Sequence, residues 1–98
     1  MLRKEKRLTA REVRDILKRG RAVRGEGVAA RYTEGTGGKA AVVVSTKVAR
    51  TAVVRNSLRR AAYRALQDSL PPKAHVVFFI QTKEFKPQEL VALCLKLS

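Results

Sequence analysis

Apolar residues along this chain follow two spacings, and the changes between them divide it into predicted helices and strands. Helical spacing, with apolar residues three or four positions apart, covers residues 9–19, 51–70 and 85–97. Alternating or continuously apolar stretches, typical of strands, cover residues 21–33, 40–45 and 75–80. Glycines loosen the first of these stretches, which counts as two strands. The order helix, strand, strand, strand, helix, strand, helix predicts a two-layer α/β sandwich with a mixed sheet.

Short polar motifs mark where the helices begin and end. Thr9-Ala-Arg-Glu12 fits a capping box at the start of the first helix, and Gly20 is expected to end that helix in a left-handed conformation. Thr51 is a candidate N-cap for the second helix, which ends before Pro71-Pro72. Pro87 suits the first position of the last helix. These signals predict three separate helices.

The strands differ in how deeply their patterns predict them to be buried. Residues 40–45 form a continuous apolar run, which predicts a central strand buried on both faces, and residues 75–80 predict a second buried strand. The glycine-rich stretch Glu34–Gly38 is expected to be a hairpin connection. A phosphate-binding loop would need a Gly-Lys-Ser/Thr sequence opening a helix afterwards, and the chain has none there, so we favour a simple turn.

The net charge of the chain predicts a domain that binds a polyanion. The 98 residues carry a formal net charge of +14, and no acidic residue occurs between Gly35 and Gln67. The segment Lys47–Arg64 has six basic residues in a helical pattern, so one side of the helix packs and the other meets solvent or a partner. The polar side is predicted to carry Asn56, Arg59, Arg60, Tyr63 and Arg64. Nucleic acid is the preferred partner, ahead of an anionic membrane surface.

Several other classes of function find no support in the residues. The single Cys94 fits a small core position, and with the single His75 it cannot build a four-ligand zinc site. No acid–base or nucleophile pair suggests a protein active site or a small-molecule substrate. No apolar run reaches the ~20 residues of a membrane span, and the opening residues lack the apolar core of a signal peptide, so we expect a cytoplasmic protein.

The chain is predicted to form one domain with a basic N-terminal segment. Its length predicts a single domain, 1–98, without a linker or an internal repeat. The residues up to Arg7 are mostly basic, and we expect either a mobile, solvated tail or an arm that contacts a partner.

The segment Ala52-Val-Val-Arg-Asn-Ser-Leu-Arg-Arg60 resembles the signature of the bacterial ribonuclease P protein subunit. In that family a strand ending in Ser/Thr-Lys, here Ser45-Thr-Lys47, leads into Ala-Val-x-Arg-Asn-Arg-hydrophobic-Lys-Arg. The likeness extends to the opening Arg7-Leu8, to Lys18-Arg-Gly20 and to Tyr32-Thr33. This chain departs from the family pattern at Arg50, Ser57 and Tyr63, and it has Val13 and Leu17 where aromatic residues are usual.

The resemblance implies both a fold and a function. The fold is similar to ribosomal protein S5 domain 2, with a left-handed βαβ crossover where right-handed ones are the rule. The protein would bind the catalytic RNA of ribonuclease P and the 5′ leader of precursor tRNA, while the RNA, with bound Mg²⁺, cuts the leader. By this resemblance, the expected contacts with the RNA subunit are Lys47, Arg55, Asn56, Arg59 and Arg60. We add Arg50, Tyr63 and Arg64, which belong to the same basic segment, to the expected contacts. Expected contacts with the leader, in a groove between the first helix and the sheet, are Tyr32, Val13, Leu17 and Arg14.

Alternatives with the same charge stay open at this point. A small ribosomal protein would hold ribosomal RNA through a similar basic face, because phosphate neutralisation works in the same way. A DNA-binding helix is disfavoured because no helix-turn-helix partner precedes the basic helix at short spacing. For Tyr63 we weigh two roles equally, stacking on a base or lying against Arg59.

Overall fold

The secondary structure follows the predicted order of elements. The computed structural model describes residues 4–97 and opens with a short 3₁₀ turn, Lys4–Lys6. The remaining elements are α1 (Ala10–Arg19), β1 (Arg21–Gly25), β2 (Val28–Glu34), β3 (Lys39–Val44), α2 (Ala52–Leu66), β4 (Ala74–Ile80) and α3 (Pro87–Lys96). The four strands form one mixed sheet, and the predicted α/β sandwich is confirmed.

The start of α1 is the predicted capping box. The Thr9 hydroxyl accepts the Glu12 amide at 3.2 Å, and the Glu12 carboxylate accepts the Thr9 amide at 2.9 Å. The end of α1 differs from the prediction, because Gly20 is extended (φ −73°) rather than left-handed. Glycine is needed there for space: its amide donates to the Ile16 carbonyl at 2.6 Å, and a Cβ would lie 2.4 Å from that oxygen.

The sheet has the strand order β1-β2-β4-β3, with β3 parallel to β4 and the other pairs antiparallel. The strand β4 therefore lies inside the sheet and β3 at its edge. The prediction of a central β3 buried on both faces is wrong, since Val43 is 38% exposed. An apolar run alone does not distinguish an edge strand with one open face from a central one.

The glycine-rich segment between β2 and β3 is not a hairpin connection, because β4 separates those two strands. The segment instead crosses the end of β4, where the Gly35 amide donates to the Lys73 carbonyl at 3.0 Å. Gly38 has φ +51°, and a Cβ on it would lie 2.7 Å from the Pro71 carbonyl oxygen. His75, at the start of β4, bonds the Thr36 carbonyl through Nε2 at 3.1 Å. The glycines serve close backbone packing around this crossing.

One face of the sheet carries the main core, under α2 and α3. Alternate residues of the strands point to this face, and Phe78 at its centre is fully buried. The buried members from the helices are Ala62, Leu66, Leu90, Leu93 and Cys94. The other face is crossed by α1, whose buried residue is Ile16, together with the fully buried Val77 of β4. Tyr32 packs with the main core, on the face away from α1.

The N-terminal segment is attached to the edge of the sheet. Arg7 forms a β-bridge with Ala40, and the Leu8 amide donates to the Ala40 carbonyl at 3.1 Å. The expectation of a mobile tail is therefore wrong for residues 4–7. Residues 1–3 of that predicted tail lie outside the described residues.

The connection from β3 through α2 to β4 joins two neighbouring parallel strands. This is the βαβ arrangement that the family resemblance implies. The left-handed sense of the crossover stays a prediction from the resemblance.

Candidate nucleic-acid interface

The loop before α2 is held to the helix by Arg55. Thr51 caps the helix as predicted, its hydroxyl accepting the Val54 amide at 3.3 Å. One guanidinium nitrogen of Arg55 then donates to the carbonyls of Ala49 and Arg50, both at 3.0 Å. Arg55 is half-buried, so the structure gives this predicted RNA contact an internal role in shaping the N-terminal end of α2. The rest of its guanidinium remains available to a partner.

The polar side of α2 brings five of the predicted residues together. They surround a shallow depression of about 500 Å³, lined by Asn56, Arg59, Arg60, Tyr63 and Arg64. The Asn56 side-chain oxygen accepts a hydrogen bond from Arg59, which fixes the direction of that guanidinium. Arg60 and Arg64 are exposed. Lys47 and Arg50 are also exposed, but they belong to the preceding loop and do not line the depression.

The basic charges on α2 are not neutralised by acidic side chains within the described part of the chain. The two ion pairs in that part lie outside α2, between Glu12 and Lys39 at 3.4 Å and between Asp15 and Arg19. The basic side chains of α2 therefore remain available to phosphate groups, whose neutralisation releases counterions.

Tyr63 has a structural partner that the sequence did not reveal. Its hydroxyl accepts the backbone amide of Val42, on β3, at 3.3 Å. The ring is half-buried and packs against the main core while one side lines the depression. The hydroxyl thus ties α2 to the edge of the sheet.

One side of α1 faces the end of the sheet, and the other side is more exposed. One side lines a depression at the end of the sheet, formed by Glu12, Asp15, Ile16, Arg19, Thr33, Glu34 and His75. At about 100° per residue, Leu17 and Arg14 lie on the opposite side of the helix. Leu17 is 38% exposed and Val13, between these two sides, is half-buried. Arg14 lines a separate depression on α1 itself, with Arg11, Glu12, Asp15 and Lys18. We call the surface of the sheet beside Leu17, on the face crossed by α1, the open groove.

Tyr32 is not in the open groove, although the sequence analysis placed it there. Residues alternate between faces along β2, and Tyr32 shares its face with the core residues Ala30 and Val28. Its neighbour Arg31 points to the α1 side, where its guanidinium donates to the Leu17 carbonyl at 3.0 Å. The parity of β2 relative to Val28 and Ala30 was the signal that would have placed both residues correctly.

Two titratable groups have shifted pKa values for local reasons. The hydrogen bond from the Thr9 amide lowers the pKa of the Glu12 carboxyl, and Lys39 acts in the same direction. Burial raises the pKa of the Cys94 thiol to about 11. Neither group lies in the depression on α2.

Two further properties concern residues 4–97. Within that range no three His, Cys, Asp or Glu side chains are grouped as a metal site. None of its helices is both long and apolar enough to cross a bilayer.

Comparison with known proteins identifies the family. The family model described as Ribonuclease P matches residues 1–97. This chain belongs to the ribonuclease P protein family. The family is that of a protein component of a tRNA-processing endoribonuclease, and membership implies partnership with the ribonuclease P RNA. It also decides against the ribosomal alternative.

Solved structures support the same fold. The ribonuclease P protein from Staphylococcus aureus superimposes with a TM-score of 0.73 at 16% identity, covering 94% of each chain. The ribonuclease P protein from Thermotoga maritima gives a TM-score of 0.71 at 20% identity, covering 93% of each chain. No curated protein sequence matches the chain. The architecture is thus shared with these proteins although few residues are identical.

Proposed function

We propose that this chain binds the catalytic RNA of ribonuclease P through the polar side of α2 and guides the 5′ leader of precursor tRNA along the open groove. The observation that carries the proposal is the depression on α2, which is lined by the half-buried Arg59 and the exposed Arg60 and Arg64. Among residues 4–97, none of these three has an acidic partner. A stable isolated protein gains nothing from such a cluster, whereas an RNA backbone neutralises it.

The residues around the depression have different roles in binding the RNA. Arg60 and Arg64 are exposed and supply charge to phosphates, while Asn56 orients Arg59 for a defined contact. Lys47 and Arg50 extend the same charge along the loop before the helix. Arg55 holds that loop in place, so its contribution to binding is chiefly to preorganise the surface.

In this proposal the cleavage chemistry belongs to the RNA. Bound Mg²⁺ there would activate the attacking water and stabilise the developing charge on the leaving oxygen. The protein positions its RNA partner and holds the single-stranded leader away from the cut. The substrate is precursor tRNA, and the place of action is the cytoplasm, where that precursor is made.

Reconstitution tests the proposal directly. The protein is added to its cognate ribonuclease P RNA at a Mg²⁺ concentration too low for the RNA to act alone. We expect 5′ processing of precursor tRNA to be restored. An RNA that remains inactive with saturating, folded protein would contradict the proposed function.

A further inference from the structure

The face of the sheet crossed by α1 is covered along only part of its length. Near the helix, Val77 is fully buried. Two residues further along β4, on the same face, the strand register aligns four side chains into a row across all four strands: Arg24, Ala29, Phe79 and Val43. Arg24 is exposed, Val43 is 38% exposed, and Ala29 and Phe79 are half-buried. This row forms the floor of the open groove.

Phe79 is the aromatic residue of this floor. Its neighbour Phe78 points to the opposite face and fills the main core, because successive residues of a strand alternate. On the side of β2, Phe79 is paired with Ala29, a small residue that is itself only half-buried. Unlike Phe78, Phe79 is not fully buried, and the part of an aromatic ring that stays accessible to solvent forgoes the free energy that burial would give. The position suits a flat partner laid against the ring.

Two arginine side chains share this face of the sheet with Phe79. Arg24 ends the row two strands away, a distance of about 10 Å at the usual strand spacing. Arg31 lies in the adjacent row and donates to the Leu17 carbonyl through one nitrogen, Nη1, which leaves the others available. A ring with nearby guanidinium groups matches the two parts of a nucleotide, the base and its phosphate.

We propose that Phe79 is the base-stacking platform of the open groove and that Arg24 and Arg31 hold the neighbouring phosphates of a single-stranded RNA. This inference rests on the proposed function, in which that strand is the 5′ leader. In this chain α1 supplies Val13 and Leu17 rather than aromatic rings, and Tyr32 faces the core. The stacking surface therefore comes from the strand β4 instead of from the helix.

The test uses the holoenzyme reconstituted with its cognate RNA and compares its affinity for precursor tRNA and mature tRNA. Phe79→Leu keeps apolar bulk but removes the ring. We expect it to weaken precursor binding by roughly 5- to 150-fold, the range for one stacked base, and to leave mature tRNA binding unchanged. Phe79→Tyr should retain tight binding. Leu95→Ala, at a 71% exposed apolar position on α3, is the matched control and should behave like the unmodified protein.

A second measurement locates the base. Single abasic nucleotides are placed along the leader in turn. The unmodified protein should lose affinity at one position, and Phe79→Leu should be insensitive at that position. Arg24→Gln should lower the magnitude of the salt slope of precursor binding by about 0.7 unit, as for one contact to a single strand.

The outcomes separate this inference from the function on which it rests. If the unmodified holoenzyme restores processing and prefers precursor to mature tRNA, but Phe79→Leu binds like it, the platform is overturned and the proposed function stands. Equal losses for precursor and mature tRNA would also overturn the platform, because they indicate a general structural effect. Failure of the unmodified protein to prefer precursor tRNA overturns both. Thermal denaturation of each variant confirms that it is folded.

Discussion

The hydroxyl of Tyr63 accepts a hydrogen bond from the backbone amide of Val42, so a residue on the polar side of α2, the proposed RNA surface, is also a partner of strand β3. Val43, the next residue of that strand, lies on the floor of the open groove. The two proposed RNA surfaces therefore meet across a single strand.

Tyr63→Phe should separate the structural role of this residue from its role toward RNA. Loss of one neutral hydrogen bond is expected to lower the free energy of unfolding by about 1 kcal/mol, or Tm by roughly 4 to 8 °C. RNA affinity should be retained, because the ring remains. Thermal denaturation and RNA titration of the same preparation give both values. Weaker RNA binding at unchanged Tm would show that the hydroxyl contacts RNA instead.

Arg55 and Arg60 should respond oppositely to alanine substitution. Arg55→Ala removes two hydrogen bonds to the carbonyls of Ala49 and Arg50, and we expect a loss of roughly 1 to 2 kcal/mol in stability. Arg60 is exposed, so Arg60→Ala should leave Tm nearly unchanged. It should instead weaken binding of the RNA subunit and reduce the magnitude of the salt slope by about one unit.

Urea denaturation and salt-dependent binding of the two variants check this pair. An Arg60 variant with an unchanged affinity and salt slope would contradict the assignment of α2 as the docking face. A fully stable Arg55 variant would contradict the role of Arg55 in holding the loop before α2.

Glu12 should make stability depend on pH in the acid range. Its pKa is lower in the folded protein than the usual 4.5, so the unfolded chain binds the proton more readily. Its contribution is therefore complete above roughly pH 5.5 and is lost as the pH falls through the folded value. Glu12→Gln removes this titration and the pairing with Lys39. In urea denaturation we expect the two proteins to differ most at pH 7 and to converge as the pH falls below the folded pKa of Glu12; a constant difference would contradict this.

Cys94 should resist thiol reagents while the protein is folded. With a pKa of about 11, only on the order of one thiol in a thousand is ionised at pH 8, and the residue is buried. Labelling by a chromogenic disulfide should therefore be slow in buffer and rapid in urea. Equally fast labelling under both conditions would show that α3 opens readily from the core.

The sequence predicted the helices better than the sheet. Helix borders depend on local chemistry, and Thr9, Thr51 and Pro87 each supply it within one turn. The position of a strand in a sheet depends on distant partners. The apolar run at Ala40–Val44 fits an edge strand as well as a central strand. No local sequence signal shows that β4 lies between β2 and β3 in the sheet.

The same contrast holds for the candidate site. The residues of the depression come from one helix, so their period sufficed to group Asn56, Arg59 and Arg60. The open groove is assembled from α1 and several strands, so a helical period could not group its residues, and only the structure shows that Tyr32 faces the core and Phe79 the opposite face. The adjacent pair Phe78 and Phe79 must point to opposite faces, but only the register shows which of the two faces α1.

Both outer edges of the sheet are protected from pairing with another molecule. On β3, the Ala40 carbonyl is taken by Leu8 and the Val42 amide by Tyr63. On β1, the exposed side chains include the cations Arg21 and Arg24, which would repel a second copy. Unprotected strand edges are templates for aggregation. These features of β1 and β3 therefore oppose edge-to-edge pairing between two copies of the free, highly charged chain.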